Sequence, residues 1–322
     1  ATLRRQRQMC IRDSFRFKET SMHVLVTGCN GYIGSHVCKI LHEQGVKIDG
    51  LDVDVHGEDK NDVSQYLHDF HGFSVLEVYR RQSLKTPMGK QWPDYDAVVH
   101  LGGLSVVPES MKRPADYYLT NVMGTLAVCE VFPQAHIIFA STSAAWEMAS
   151  PYAKSKVAAE DIIKEKASGY TIFRFFNVSG SDGVHKQIGP STHLIRVAAE
   201  VACGKRDYLE IYGTDYDTRD GTCIRDYVHV VDLANAICNA VKDGPTNTPY
   251  ECLGSNTGYS VFEVVDSFKK ATGKNINIVK TERRDGDAEC SVVDKLSDKI
   301  TLTKSLEDMC VDQYNLERGK NK

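Results

Sequence analysis

Tyr152 and Lys156 carry the most pointed chemical signal in the chain. They stand four residues apart in the run PYAKSK, so on a helix they share one face. A tyrosine hydroxyl ordinarily titrates at about 10, too high for a base at neutral pH. A neighbouring ammonium favours the phenolate and lowers that value. Ser143, in the triplet Ser141-Thr142-Ser143 just upstream, adds a hydroxyl able to hold a substrate oxygen beside the phenol. The trio suits removal of a proton from an alcohol while hydride leaves the same carbon. The same spacing also occurs where a solvent-exposed Tyr lies over a Lys stem, so the elements around it have to decide.

A hydride needs an acceptor, and a second motif supplies a place for one. Gly28-Cys29-Asn30-Gly31-Tyr32-Ile33-Gly34 follows a short β-branched run and precedes a helical pattern. Glycines there permit a tight turn and a close backbone approach to a pyrophosphate, whose charge sits at the helix N-terminus. Asp52 ends the next strand. A carboxylate at that point accepts hydrogen bonds from the adenosine ribose and repels a 2′-phosphate, which favours NAD over NADP. An oxidised nicotinamide would add a second positive charge favouring the Tyr152 phenolate.

The elements needed to position these groups are readable from periodicity. Strands are expected at 23–27, 46–51, 73–78, 96–101, 135–140 and 170–176, and helices at 32–44, 114–132 and 151–167. Alternation of this kind implies an open parallel sheet with right-handed crossovers. Beyond Asn177 the pattern changes. Residues 178–192 are rich in Gly, Ser and Pro, followed by helices at 194–204, 231–241 and 261–272 and a strand at 209–212. The fold class is therefore α/β, a doubly wound parallel sheet (Rossmann) with a second, smaller mixed α/β substrate lobe. The division expected is a leader at 1–21, a dinucleotide-binding domain at 22–176 and a substrate lobe at 177–322.

Composition narrows the partners. The chain has 322 residues, 42% hydrophobic and 25% charged, with a net charge of -4 and no basic face, which argues against nucleic acid. No apolar run approaches a membrane span of about 18 residues. Ten cysteines without a C-x-x-C pair, several inside apolar helical patterns, read as reduced thiols of a cytosolic protein. Their spacing relative to the histidines predicts no metal site. Residues 1–21 are basic and lack an apolar centre, so they read as an unstructured leader before Met22, or else as a native basic arm.

Several segments together resemble the extended short-chain dehydrogenase/reductases and, within them, the UDP-galactose 4-epimerases. They are HVLVTGCNGYIGSH, HLGGLSVVPES, the asparagine of YYLTNVMGT, PYAKSK, RFFNVSG, residues 204–234 (GKRDYLEIYGTDYDTRDGTCIRDYVHVVDLA) and TERRDGD. The resemblance runs from Met22 to about Met309. It implies transient hydride transfer from sugar C4 to bound NAD and return to the opposite face. It places Ser143 and Tyr152 at the reacting hydroxyl and Lys156 also on the nicotinamide ribose. Asn121 falls beside the cofactor, Asn177 at the substrate diphosphate, and Arg225 and Arg284 on its phosphates. Asp287 is placed at the uridine ribose and Tyr212 against the uracil or sugar. Relatives dimerise through helices equivalent to 114–132 and 151–167, but those faces would serve equally to pack a monomer's own sheet.

This sequence departs from the family pattern in places. The stretch from Ser143 to Tyr152 is short, with Trp146 and Glu147 where a Tyr-Gly pair is usual. Val78-Tyr79-Arg80 replaces an acid that contacts adenine, and Ser105 replaces a lysine near the cofactor. His193 and Ser291 stand in for an asparagine and a tyrosine. Three other readings stay open: an epimerase of another UDP-sugar, a sugar-nucleotide dehydratase, and an inactive sugar-nucleotide-binding protein.

Overall fold

The computed structural model describes residues 22–53, 61–77, 92–284 and 287–319. The leader at 1–21 and the Val78-Tyr79-Arg80 stretch lie outside these residues. In chain order the first half runs β1 (His23–Thr27), α1 (Tyr32–Glu43), β2 (Lys47–Leu51), β3 (Asp69–His71) and β4 (Ala97–His100). Next come α2 (Val107–Lys112), α3 (Pro114–Tyr117), a π-helical segment (Tyr118–Met123), α4 (Gly124–Val131), β5 (His136–Thr142), α5 (Pro151–Lys166) and β6 (Gly169–Phe175). The second half runs β7 (Asn177–Ser179), α6 (Leu194–Ala202), β8 (Leu209–Tyr212), β9 (Ile224–His229), α7 (Val230–Asp243) and β10 (Glu251–Leu253). It ends with β11 (Gly258–Ser260), α8 (Val261–Thr272), β12 (Ile278–Thr281), β13 (Cys290–Ser291) and α9 (Leu306–Glu317).

Seven strands form one parallel sheet in the order β10-β6-β5-β4-β1-β2-β3. Its central strands are apolar on both faces because helices cover both. Val24 and Val26 face α1 and α7; Leu25, Ile137 and Phe139 face α4 and α5. The order reverses between β1 and β4, and the crevice at such a switch point is where α/β sheets bind ligands.

One expected strand falls elsewhere. The third strand is Asp69–His71 rather than 73–78, and residues 75–77 are helical. β3 is an edge strand of three residues with one exposed side chain, so its apolar pattern is faint. Phe73 and Val75, which suggested the strand, instead pack on the apolar cluster beneath the α4–α5 face. Segments 230–243 and 251–253 lie beyond 177 in sequence, yet α7 packs on α1 and β10 extends the large sheet beside β6. The remaining second half forms a four-stranded sheet (β7, β9, β11, β13) and the β8–β12 pair, with α6, α8 and α9 around a core centred on Phe268. Among the described residues no helix is long and apolar enough to cross a membrane.

Candidate active site

The turn after β1 is built to let something approach its backbone. Gly28 has φ +71°, and a Cβ there would lie 2.8 Å from the Gly102 nitrogen. Gly34 packs so tightly that a Cβ would sit 2.1 Å from the Gly28 oxygen. Gly31 caps α1 without a side chain, so the first amides of the helix, at Tyr32 and Ile33, receive no side-chain cap. Gly28, Gly31, Tyr32, Ile33 and Gly34 all line a cleft of about 1070 Å3. A pyrophosphate fits such a cradle. Gly34→Ala is expected to abolish cofactor retention, measured as nucleotide released from the denatured protein; unchanged content would refute the cradle.

Asp52 is engaged with the glycine turn. Its carboxylate accepts from the Asn30 nitrogen at 2.9 Å and the Val53 nitrogen at 2.8 Å. It is not among the described residues lining the cleft, and it ties down the glycine turn itself. Below the turn runs a buried chain that the sequence reading missed. The Thr27 hydroxyl lies 2.8 Å from His100 Nδ1, and His100 Nε2 lies 3.2 Å from Thr125 Oγ1. Because Thr125 donates to the Asn121 carbonyl, the relay assigns the His100 proton to Nε2. Burial holds the His100 ring neutral, its pKa pushed down to about 3.

The same cleft is lined by Ser143, Tyr152 and Lys156. Parallel register places the end of β5 beside β6, and Ser150 caps α5 by accepting from the Ala153 nitrogen at 3.2 Å. Pro151 then starts the helix that projects Tyr152 and Lys156 onto the cleft. The buried Lys156 ammonium donates to the Ala140 carbonyl at 2.8 Å and sits 4.7 Å above the Phe139 ring. Burial lowers its pKa to about 8, opposed by the charge of Glu160.

The expected acidification of Tyr152 by Lys156 is not the ruling effect in the chain by itself. Burial raises the Tyr152 pKa, and a hydrogen bond with Thr142 opposes it. Lys156 is turned to Ala140 instead. Thr142 stands in the same triplet as Ser143, and it is the hydroxyl that meets the phenol. Thr142→Val removes the one contact that lowers the Tyr152 pKa, so the pH–rate profile should shift to higher pH, with a deficit at neutral pH that shrinks as pH rises. An unshifted profile would deny Thr142 that role.

The short Ser143–Tyr152 stretch is anchored. Ser143 begins a 3-10 turn to Ala145, and Met148 takes φ 49°. Trp146 packs edge-to-face against Tyr250 with centroids 5.8 Å apart. The Arg174 guanidinium lies 3.8 Å from the Tyr250 ring centroid and 5.1 Å from that of Trp146.

Asn121 lies one layer behind the cleft wall. Its side chain accepts from the Leu104 nitrogen at 2.9 Å, and donates to the Leu104 carbonyl and to Ser155 Oγ, both at 3.0 Å. The π-helical segment turns this buried residue inward, where it joins the loop after β4 to α5. Asn121 therefore shapes the wall formed by Gly103, where a Cβ would meet Asn121 Oδ1 at 2.7 Å.

Asn177, Tyr212, Arg225, Arg284 and Asp287 converge far along the primary sequence from Tyr152. They line both the cleft and an adjoining chamber of about 380 Å3. Arg284 stacks 3.4 Å from the Tyr212 ring centroid. Arg225 does not pair with Asp226, since strand alternation sends the two to opposite sides. Asp226 is fully buried and accepts from the Ser255 and Asn256 nitrogens. Among the described residues neither Arg225 nor Arg284 has an ion-pair partner, which suits them to a bound anion. Gln187 and Arg196 also line the cleft; neither lay in a recognisable motif.

The profile of the NAD dependent epimerase/dehydratase family matches residues 24–252. Among curated relatives, a UDP-glucose 4-epimerase of Streptococcus mutans is 34% identical over 297 residues, covering 83% of this chain and 86% of that one. That of Mus musculus is 33% identical over 342 residues, covering 92% and 96%. A UDP-glucose 4-epimerase of Bifidobacterium longum in complex with NAD+ and UDP superposes with a TM-score of 0.80 at 26% identity, covering 93% of this chain and 99% of that one. The Brucella ovis enzyme in complex with NAD gives 0.78 at 30% identity, covering 92% and 98%. The glycine cradle, the Tyr152–Lys156 pair and these likenesses agree: the chain belongs to the NAD dependent epimerase/dehydratase family.

Proposed function

We propose that this protein interconverts UDP-glucose and UDP-galactose by inverting the sugar at C4. The observation that carries the reading is one continuous cleft lined by the glycine cradle, the Tyr152–Lys156 pair and Arg225, Arg284 and Asp287 together. NAD, when bound, supplies a reversible hydride acceptor at the sugar carbon. Gly28, Gly31, Tyr32, Ile33 and Gly34 would hold its pyrophosphate, Asp52 would accept from the adenosine ribose while it braces the glycine turn, and Lys156 would hold the nicotinamide ribose, with Asn121 shaping the wall behind it.

The chain's own groups do the rest. Tyr152 takes the C4 hydroxyl proton and later returns one, while Ser143 and Thr142 hold oxygen beside it. Arg225, Arg284 and Asn177 grip the diphosphate, and Asp287 and Tyr212 the nucleoside end. Binding energy is thereby placed away from the reacting carbon, so the sugar can turn while the nucleotide stays fixed. Residues 22–176 would serve the cofactor and most of 177–322 the sugar nucleotide, while α7 and β10 from the second half complete the larger sheet layer. The cytoplasm suits the protein, since the nine described cysteines are unpaired.

Turnover of UDP-galactose to UDP-glucose without added oxidant tests the reading; UDP-sugar binding without product would overturn it. Arg284→Ala should raise KM with a much smaller effect on kcat. A charge-assisted contact is worth about 1.5–3 kcal/mol, or roughly 10- to 100-fold. An unchanged KM would remove Arg284 from the phosphate site.

A further inference from the structure

At the opposite end of the sheet the fold gathers two imidazoles and a carboxylate. His23 opens β1, Asp49 is the central residue of β2, and His68 directly precedes β3. Leu25 pairs with Asp49, so strand alternation puts His23 and Asp49 on one face. The glycine turn leaves the far end of β1, about 13 Å along the strand.

His23 Nε2 lies 3.1 Å from Asp49 Oδ2, and His68 Nδ1 is hydrogen-bonded to Asp49 Oδ1 at 3.3 Å. Ligand atoms from all three residues fall within 4.8 Å of one another. Donors about 2.0–2.1 Å from a tetrahedral ion stand about 3.3–3.4 Å apart, close to these spacings. His23 Nε2 is buried at this distance from the carboxylate yet makes no hydrogen bond. A buried ring nitrogen left without a hydrogen bond is a place where a bound ion can supply the missing partner.

The surroundings hold the donors in place. Tyr95, itself buried, donates its hydroxyl to Asp49 Oδ2 at 2.9 Å. Burial and the Asp49 charge keep that phenol protonated by raising its pKa. The His23 backbone nitrogen donates to Asp96 Oδ2 at 2.7 Å. Supporting contacts of this kind orient metal ligands. Asp49 is 3% exposed, whereas the His68 side chain is 58% exposed and leaves a path for entry. No lysine or arginine pairs with Asp49 among the described residues. The other His–Asp–His grouping, His36, Asp182 and His185, differs on this point, since Lys39 already sits 2.8 Å from its carboxylate.

We propose that His23, Asp49 and His68 bind one divalent transition-metal ion of the Zn2+ type, with solvent completing its shell. Imidazole and carboxylate together suit such ions, whereas Mg2+ and Ca2+ call for oxygen donors. The ion would fasten the short edge strand β3 to β1 and β2, remote from the cleft.

The test uses the full chain, stripped with chelator and titrated with Zn2+ by calorimetry, then with Co2+ by absorption. One saturable equivalent is expected, with a higher Tm on adding Zn2+. His68→Ala and His23→Ala should each weaken binding at least about tenfold and abolish the Tm rise, while His42→Ala leaves both unchanged. His68 is exposed, so its loss does not threaten folding. The proposal is overturned by absence of saturable binding, by binding indifferent to His68→Ala, or by a Co2+ spectrum with thiolate charge transfer, which would assign the ion to cysteines.

Discussion

Tyr152→Phe is expected to lower kcat by about 10²–10⁴-fold, the usual contribution of a positioned acid–base group. The substitution deletes only the hydroxyl. The ring keeps its edge-on contact with Tyr117, centroids 6.3 Å apart, so the helix and the cleft should persist. Lys156 keeps its bond to Ala140 and its place over Phe139, so NAD should remain bound. Binding of UDP should also be preserved, because Arg225 and Arg284 stand on other elements. Burial raises the Tyr152 pKa in the chain by itself, so the wild-type rate should climb as pH rises and phenolate becomes available. That limb should vanish in the Phe variant. Steady-state assays from neutral to alkaline pH, with nucleotide content measured alongside, decide the matter. Activity within a few-fold of wild type would move proton transfer to another group.

The second large effect concerns stability. Glu160 is 1% exposed and pairs with Arg174 through two parallel contacts, Nε to Oε1 at 2.9 Å and Nη2 to Oε2 at 2.8 Å. Ser141 also donates to Glu160 Oε1, at 2.5 Å. Glu160→Ala strands a guanidinium in the interior, and loss of one partner of a buried pair costs about 3–5 kcal/mol. The damage should reach the site, because Arg174 lies against the rings of Tyr250 and Trp146, and Ser141 precedes Thr142. Replacing both partners with methionine removes the stranded charge and should recover most of the loss. Urea unfolding of the single and double variants measures this directly. Should Glu160→Ala cost under about 1 kcal/mol, or the double variant prove worse than the single, the pair is not what holds β5, β6 and α5 together.

Much of this protein was legible along the chain. The 23–27 run, the glycine turn and the 32–44 periodicity correspond to β1, the cradle and α1 because each is a local pattern with a local cause. Helix 261–272 was placed to the residue, bounded by the Ser260–Glu263 capping box and by Gly273 in the left-handed region. Tyr152 and Lys156 were legible because helical spacing alone puts them on one face. β3 was misplaced because an edge strand buries little and writes a weak pattern.

Tertiary structure decided what depends on residues distant in sequence. It turned Lys156 toward Ala140, gave Tyr152 the neighbour Thr142, and used Asp52 and Asn121 to brace the turn and the cleft wall. It also drew His23, Asp49 and His68 together from three elements whose spacing carries no metal pattern. By itself the sequence determined which segments are strands and helices and which residues could do chemistry, since both follow from local pattern and residue type. Which hydroxyl meets which base, which charge is buried and which carboxylate is already engaged were decided only when the sheet brought distant segments into contact. Hydrogen bonding and desolvation act through space and leave no period in the sequence.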